Sequence, residues 1–157
     1  MKNLFNYLAV LSSVLMLSCN QSTEKSVQEA ETKTVVDSSM MVCYQAIDGV
    51  DTASLKLLLD TNGKVTGPLI INYLDKEDNN GRIDGKFIGD TLFAHYTFKI
   101  GGNKTTYKNP LAFLKKDGKL ILGVGQIETF LGVSRFVKGK PISFEKGRFT
   151  FAPVDCK

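Results

Sequence analysis

The sequence is poor in the residues and motifs that usually mark an active site. Its 157 residues include no tryptophan, one histidine and three cysteines. There is no Cys-X-X-Cys motif, no His-Glu-X-X-His motif and no glycine-rich phosphate loop, so the common zinc and nucleotide-binding sites have no sequence support. We therefore predict that the protein is not an enzyme and holds no metal ion or other cofactor.

The residues that are present favour a small domain built of β-strands. A chain of this length predicts a single domain, and an apolar fraction of 43% with ten phenylalanines is sufficient for a core. The 14 glycines fall mostly between short apolar runs. No stretch shows the 3.6-residue period of an amphipathic helix, so we predict an all-β fold.

The N terminus has the organisation of a secretory signal. Lys2 precedes an apolar stretch over residues 8–17, about half of the ~20 residues that a membrane-spanning helix requires. The sequence then resembles a bacterial lipobox, with Met16 three positions before Cys19 and the small Ser18 directly before it. We interpret residues 1–18 as a lipoprotein signal peptide and Cys19 as the lipidated, palmitate-bearing residue, the alternative being a buried N-terminal helix.

The segment that follows the lipobox is polar. Residues 19–41 contain no glycine, proline or aromatic residue, and they include four acidic and two basic residues. Such a composition predicts a flexible, solvated tether. Asn20 is not the aspartate that retains some lipoproteins at the inner membrane. By that analogy we expect the protein in the cell envelope, lipid-anchored to the outer membrane.

Two cysteines remain for the folded domain, which we predict over residues 42–157. Cys43 lies at its start and Cys156 at its end. An exported chain enters an oxidising compartment where disulfides persist, so we predict a Cys43–Cys156 bond. The alternative is two reduced thiols, which would require the lipobox to be accidental.

Strand signals recur along this domain with turn residues between them. Asn62-Gly63 predicts a type I′ turn and Gly89-Asp90 a type II′ turn, because these pairs supply the positive φ that each turn requires. Residues 119–130 are predicted as one strand. Pro68 cannot donate a ladder hydrogen bond and is expected at a bulge or edge. About eight to nine strands, mostly in hairpins, predict an antiparallel up-and-down barrel, since closure removes the edges.

Several stretches of the domain carry a family resemblance. They are "GDTLFAHYTF", "AFLKKDGKLILGVGQ", the terminal "VDCK" and the early "CY". With the lipobox in front, they resemble small lipoproteins of Bacteroidota. The resemblance implies a lipocalin-like barrel and a location in the envelope, and it implies no reaction. The Gly-X-Trp signature of lipocalins is absent.

The period-2 pattern of the strands assigns the inward face and a ligand site. A small closed barrel either fills its interior with side chains or encloses a small ligand. We predict that an apolar ligand would be lined by Leu57, Leu69, Ile71, Leu92, Tyr96 and Phe98, and we place Leu55 and Leu120 on the same inward face. The leading hypothesis is a non-catalytic barrel that binds such a ligand or serves envelope maintenance.

The alternative hypothesis is a protein–protein interaction module, either an inhibitor or an accessory subunit of an outer-membrane complex. A cavity larger than ~300 Å³ with apolar walls would favour the ligand hypothesis. A filled interior with an exposed aromatic patch would favour the interaction module.

The single histidine lies in the predicted hairpin that turns at Gly89-Asp90. His95 would oppose Asp84 across this hairpin, where a modest ion pair is expected. No motif marks a second titratable partner for the imidazole, so we predict that His95 is not catalytic. The neighbouring segment 75–81 is acidic, but Asn80 stands where a calcium loop needs glycine. We therefore interpret it as a solvated loop.

Charge and short motifs give weaker indications. The domain carries 17 basic and 12 acidic residues, and the basic ones are scattered, so we predict no nucleic-acid partner. They form either a solvated surface or a face for anionic lipid headgroups. Thr52 and Thr91 stand in Asp-Thr-apolar tripeptides that resemble O-glycosylation sites of Bacteroidota.

Overall fold

A computed structural model describes residues 40–157, and this part of the chain is all-β, without a helix. The strands are β1 (Met40–Asp48), β2 (Asp51–Leu59), β3 (Lys64–Asn72), β4 (Asn79–Ile88), β5 (Thr91–Ile100), β6 (Tyr107–Lys116), β7 (Lys119–Leu122), β8 (Ile127–Phe130), β9 (Val133–Phe136) and β10 (Thr150–Val154). The predicted signal peptide and most of the predicted tether lie outside the described residues. β1 begins at Met40, ahead of the boundary predicted at residue 42.

Eight of these strands close into an antiparallel barrel. Their order is β1-β10-β7-β6-β5-β4-β3-β2, so β1 to β7 follow one another around the wall and β10 closes the ring between β7 and β1. This confirms the predicted up-and-down, lipocalin-like barrel. The strands β8 and β9 form a separate two-stranded hairpin outside the ring, and β9 packs against β6.

The prediction of one strand over residues 119–130 is wrong, because the chain leaves the barrel after Leu122. A Cβ atom at Gly123 would collide with the side chains of Ile142 and Phe144 from the returning segment. Val124 then pairs with Ser143 in an isolated bridge. Gly123 and Gly125 therefore mark the exit from the barrel. At both positions, neighbouring side chains occupy the space that a Cβ atom would need.

The turn predicted at Gly89-Asp90 is confirmed, and the type I′ turn predicted at Asn62-Gly63 is wrong. Ile88 pairs with Thr91, and Gly89 has a φ of 57°. At the other turn only Gly63 has positive φ. The Asp60 carboxylate accepts hydrogen bonds from the backbone N–H groups of Asn62 and Lys64, at 2.9 and 2.8 Å. This produces a type I turn that ends in a left-handed glycine, one of the commoner hairpin loops.

Inward-facing side chains fill the barrel. All eight residues assigned to the inward face are buried members of one core cluster: Leu55, Leu57, Leu69, Ile71, Leu92, Tyr96, Phe98 and Leu120. The rings of Tyr96 and Phe98 stack with centroids 4.5 Å apart, and the Tyr96 hydroxyl donates a 2.9 Å hydrogen bond to the Leu69 carbonyl. Burial raises the pKa of Tyr96 well above its usual range, so the hydroxyl stays protonated and able to donate.

Pro68 lies within β3 and not at an edge of the sheet. It pairs with Arg82 of β4, while the pairing of β3 with β2 is interrupted between Leu69 and Thr66. Proline has no N–H to donate, and the strand therefore accommodates it at the point where the pairing of β3 with β2 is interrupted. Gly67 lies in the same interruption, and a Cβ there would collide with the Lys56 carbonyl of β2.

Candidate binding groove on the barrel wall

The six residues predicted to line a ligand site lie in the packed core. Leu57, Leu69 and Leu92 are each 2% exposed or less, and Tyr96 and Phe98 form the aromatic stack described above. Ile71 belongs to the same cluster. The structure thus brings all six together as predicted, as a core of contacting side chains. Their role toward a ligand remains a prediction.

A groove of about 560 Å³ lies on the outer wall, where β10, β1, β2 and β3 run side by side. Apart from the core residues Tyr44 and Leu55, the strand residues that line it alternate with core residues, which places the groove on the opposite side of the wall from the barrel interior. The lining residues are Cys43, Tyr44, Gln45, Ser54, Leu55, Lys56, Pro68, Ile70, Val154, Asp155 and Lys157. Its volume falls within the range of small-molecule sites.

The Cys43–Cys156 disulfide forms part of this groove and is confirmed, with Cα atoms 5.2 Å apart. It holds the C-terminal tail after β10 against the outer face of β1. From there the tail reaches β2, where the Lys56 ammonium donates a 3.5 Å hydrogen bond to the carbonyl of Lys157. The tail therefore makes one side of the groove, and the disulfide fixes its position.

The chemistry of the groove is apolar on one side and charged on the other. Pro68 and Ile70 of β3 are half-buried and provide apolar surface, as Val154 does on β10. Lys56, Lys157 and the acidic Asp155 line the tail side, so two basic residues there outnumber one acidic residue. This arrangement suits an apolar chain that ends in an anionic or polar head, because the ammonium groups supply a counter-charge beside an apolar wall.

Sequence reasoning missed this groove. It depends on where the C-terminal tail folds, and no local pattern specifies that. One signal was present in "PLII" at residues 68–71, a continuous apolar run inside a strand that otherwise alternates. Such a run indicates that both faces of the strand are covered, and Ile70 is the residue that it places on the outer wall.

At the end of the barrel where β1 turns into β2, one arginine joins two acidic residues. Arg148 Nε lies 2.6 Å from Asp48 Oδ2, and Arg148 Nη2 lies 2.7 Å from Asp51 Oδ2. The other oxygen of Asp51 accepts a hydrogen bond from the Leu74 N–H at 3.1 Å. The Arg148 guanidinium, aided by this N–H, lowers the pKa of Asp51. These contacts tie the segment before β10 to two loops of the same barrel end.

His95 lies on the outer wall of β5, opposite Asp84 as predicted. The expected ion pair is replaced, since the Asp84 carboxylate binds Lys64 at 2.9 Å. On its other side His95 faces Pro110 of β6, which cannot act as a base or a ligand. The imidazole therefore has no titratable partner placed for catalysis among the described residues that pair with it.

The acidic segment predicted as a solvated loop is shorter than expected, because Asn79 and Asn80 belong to β4. Asp78 Oδ1 accepts a hydrogen bond from the Tyr73 N–H at 3.0 Å. Within residues 40–157 no group of three or more His, Cys, Asp and Glu side chains is arranged to hold a metal ion. This carboxylate therefore acts in the turn between β3 and β4.

The modification sites predicted from short motifs fall in different places. Thr52 is on the outer side of β2, and its hydroxyl accepts a 3.3 Å hydrogen bond from the Asn72 side chain. Thr91 is half-buried at the start of β5. Cys19 lies outside the described residues. Lipidation of Cys19 and glycosylation of either threonine stay predictions.

No protein family, curated protein or solved structure matches this chain. Residues 40–157 include no helix that is long and apolar enough to cross a membrane. Any proposal of function therefore has to come from the groove, the surface and the sequence itself.

Proposed function

We propose that this protein is a lipoprotein anchored to the bacterial outer membrane through Cys19, and that its barrel binds a small apolar ligand without catalysing a reaction. The observation that carries the binding proposal is the groove of about 560 Å³ beside the Cys43–Cys156 bond. It replaces the barrel interior as the ligand site, because the interior is occupied by the core cluster.

The ligand class follows from the lining of the groove. Pro68, Ile70 and Val154 offer an apolar surface to an acyl or similar chain, and Lys56 and Lys157, which outnumber Asp155, offer counter-charges to an anionic head. A fatty acid or a lysophospholipid has this chemistry. An open groove would let such a ligand enter without opening the barrel.

The envelope location is supported by the disulfide. A bond between cysteines at the two ends of a domain requires an oxidising compartment to form and persist. The lipobox-like sequence before Cys19 supplies the export signal and the anchor.

A pair of isoleucine substitutions tests the binding proposal. Ile70→Arg places a guanidinium in the apolar wall of the groove, whereas Ile47→Arg makes the same change at an outer-wall residue that is 67% exposed and outside the groove. We expect Ile70→Arg to weaken binding of a dansylated long-chain fatty acid by about tenfold or more, and Ile47→Arg to leave it unchanged. Equal affinities of both variants and the wild type would refute the groove as the site.

A second candidate function, a protein–protein interaction module, is favoured by one observation. Val50 and Leu74 are 67% and 69% exposed, and the Leu74 N–H bonds to Asp51 next to Val50. Both are therefore exposed apolar residues next to Asp51 and its ion pair with Arg148. A photo-crosslinking residue at Leu74 should then give discrete adducts in the cell envelope that the same residue at Ile88 does not give. Identical patterns at the two positions would remove this candidate.

A further inference from the structure

The hairpin of β8 and β9 ends in an apolar tip. Phe130, Leu131 and Val133 are 61%, 87% and 53% exposed, and Ile127 further down the hairpin is 49% exposed. Large apolar side chains that cluster on the surface mark an interaction site more often than a structural need. This cluster lies outside the barrel and away from the groove.

The backbone conformation of the turn at the tip does not explain why a leucine is found at residue 131. Leu131 and Gly132 have φ values of 49° and 77°, and Asp117 and Gly118 in the β6–β7 turn have nearly the same values, 52° and 74°. Positive φ at both central positions is the signature of a type I′ turn, which favours Asn, Asp or Gly. The chain uses Asp-Gly in one such turn and places a leucine, a residue that rarely adopts positive φ, in the other.

The hairpin is held in place while its tip stays exposed. Arg135 Nε lies 2.8 Å from Glu128 Oε1, and the hydroxyls of Thr129 and Ser134 are 3.0 Å apart. At its base Phe136 lies against the barrel wall beside Pro110. By the alternation of strand side chains, Phe130 and Val133 are on the face opposite to Phe136 and point away from the barrel.

Basic residues lie at the base of this hairpin. The segment from residue 123 to 149, which contains the hairpin, has five basic and two acidic side chains. Two of the basic ones, Arg135 and Arg148, are paired with carboxylates. Lys138 and Lys140 follow β9 directly, in the turn that the Lys140 N–H closes on the Val137 carbonyl at 3.2 Å. An apolar tip with positive charge at the base of the same hairpin is complementary to a bilayer that has anionic headgroups over an apolar interior.

We propose that the β8–β9 tip, centred on Phe130 and Leu131, inserts into the boundary between headgroups and acyl chains of an anionic bilayer. The inference rests in part on the proposed function, which keeps the domain near a membrane. A bilayer suits the tip better than a protein pocket does. The projecting side chains form a convex surface that a fluid apolar phase accepts without matching its shape.

The absence of tryptophan from the chain allows a direct test. The variants Leu131→Trp and Phe130→Trp each place a single tryptophan at the tip, and Ile47→Trp places one on the outer wall as a control. Each full-length protein is mixed with vesicles of phosphatidylethanolamine and phosphatidylglycerol, and its emission is recorded with and without brominated acyl chains. Circular dichroism and the intact disulfide confirm that each variant is folded.

We expect the emission of both tip variants to shift to shorter wavelength and to be quenched by the brominated lipid, while Ile47→Trp keeps the emission of an exposed residue. Vesicles of phosphatidylcholine alone should give a smaller shift. Unchanged emission of both folded tip variants would overturn the proposal. The emission can also be recorded with membranes isolated from the cell envelope. A shift in those membranes, with no quenching in the vesicles that contain brominated lipid, would also overturn the proposal and assign the tip to a protein partner. Fluorescence is read whether or not Cys19 carries lipid, and the mass of the Cys19 peptide tests the anchor separately.

Discussion

Cys43 in the first strand and Cys156 beyond the last strand are bonded across the seam where the barrel closes, with Cα atoms 5.2 Å apart. At this seam β10 pairs with β1 only from Ala152 to Val154, and one of these residues, Pro153, has no N–H to donate. The pairing of β1 with β2 runs from Met40 to Asp48. The covalent bond therefore reinforces a sparsely paired part of the ring, since β10 has only three residue pairs with β1 and two with β7.

Removing this bond is expected to destabilise the barrel strongly. The double variant Cys43→Ala/Cys156→Ala should lose about 2–5 kcal/mol of unfolding free energy, because the unfolded chain regains the freedom of a loop that spans nearly the whole domain. Urea denaturation measures the loss, and the reduced wild-type protein serves as the control with the same expected midpoint. An unchanged midpoint in both would show that the bond contributes nothing to stability.

Two adjacent leucines of β2 test the assignment of the inward face. Leu57 is 2% exposed within the core cluster, and Leu58 is half-buried on the outer wall. We expect Leu57→Ala to cost about 2–5 kcal/mol and Leu58→Ala about 1 kcal/mol or less. Thermal or urea unfolding provides both values. Equal costs for the two changes would contradict the alternation.

The Arg148–Asp51 pair predicts a dependence of stability on acid pH. Because the guanidinium lowers the pKa of Asp51, folding favours the ionised carboxylate. Its contribution is present above the unfolded-state pKa of about 3.9 and is lost as the pH falls through the lower folded-state value. The stability difference between the wild type and Asp51→Asn should therefore be constant near neutral pH and shrink below about pH 4. A difference that does not change down to acid unfolding would disprove this linkage.

His95→Gln is expected to leave binding of the dansylated fatty acid unchanged. The imidazole lies on the wall of β5 between Asp84 and Pro110, and the groove is formed by other strands. Glutamine keeps polar atoms at that position, so stability should change little. Loss of binding in a variant that still unfolds cooperatively would show that His95 has a role in binding.

The sequence predicted those features of the fold that depend on local chemistry. Alternation placed Leu57 and Leu92 inside, and Gly89 set the β4–β5 turn, because each depends only on near neighbours in the chain. The turn at Asn62-Gly63 was mistaken because the Asp60 carboxylate binds two N–H groups and favours a type I turn. An Asp at the first position with Gly at the fourth was the available signal.

The exit of the chain after Leu122 and the groove beneath the tail could not be predicted in this way. The first depends on Ile142 and Phe144, which return from a distant part of the sequence to occupy the space beside Gly123. The second depends on how the tail lies across β1 and β2. Only Ile70, an apolar residue on an outer face, indicated that this wall is covered.

Native mass spectrometry of the mature protein, extracted gently from its own membrane, tests the lipid anchor and the bound ligand in one measurement. The account predicts a chain that begins at an acylated Cys19 and retains a noncovalent ligand with an acyl chain. It also predicts that Ile70→Arg loses this ligand and that Ile47→Arg keeps it. An unmodified Cys19 together with a bare barrel, or a ligand retained equally by both variants, would contradict the account.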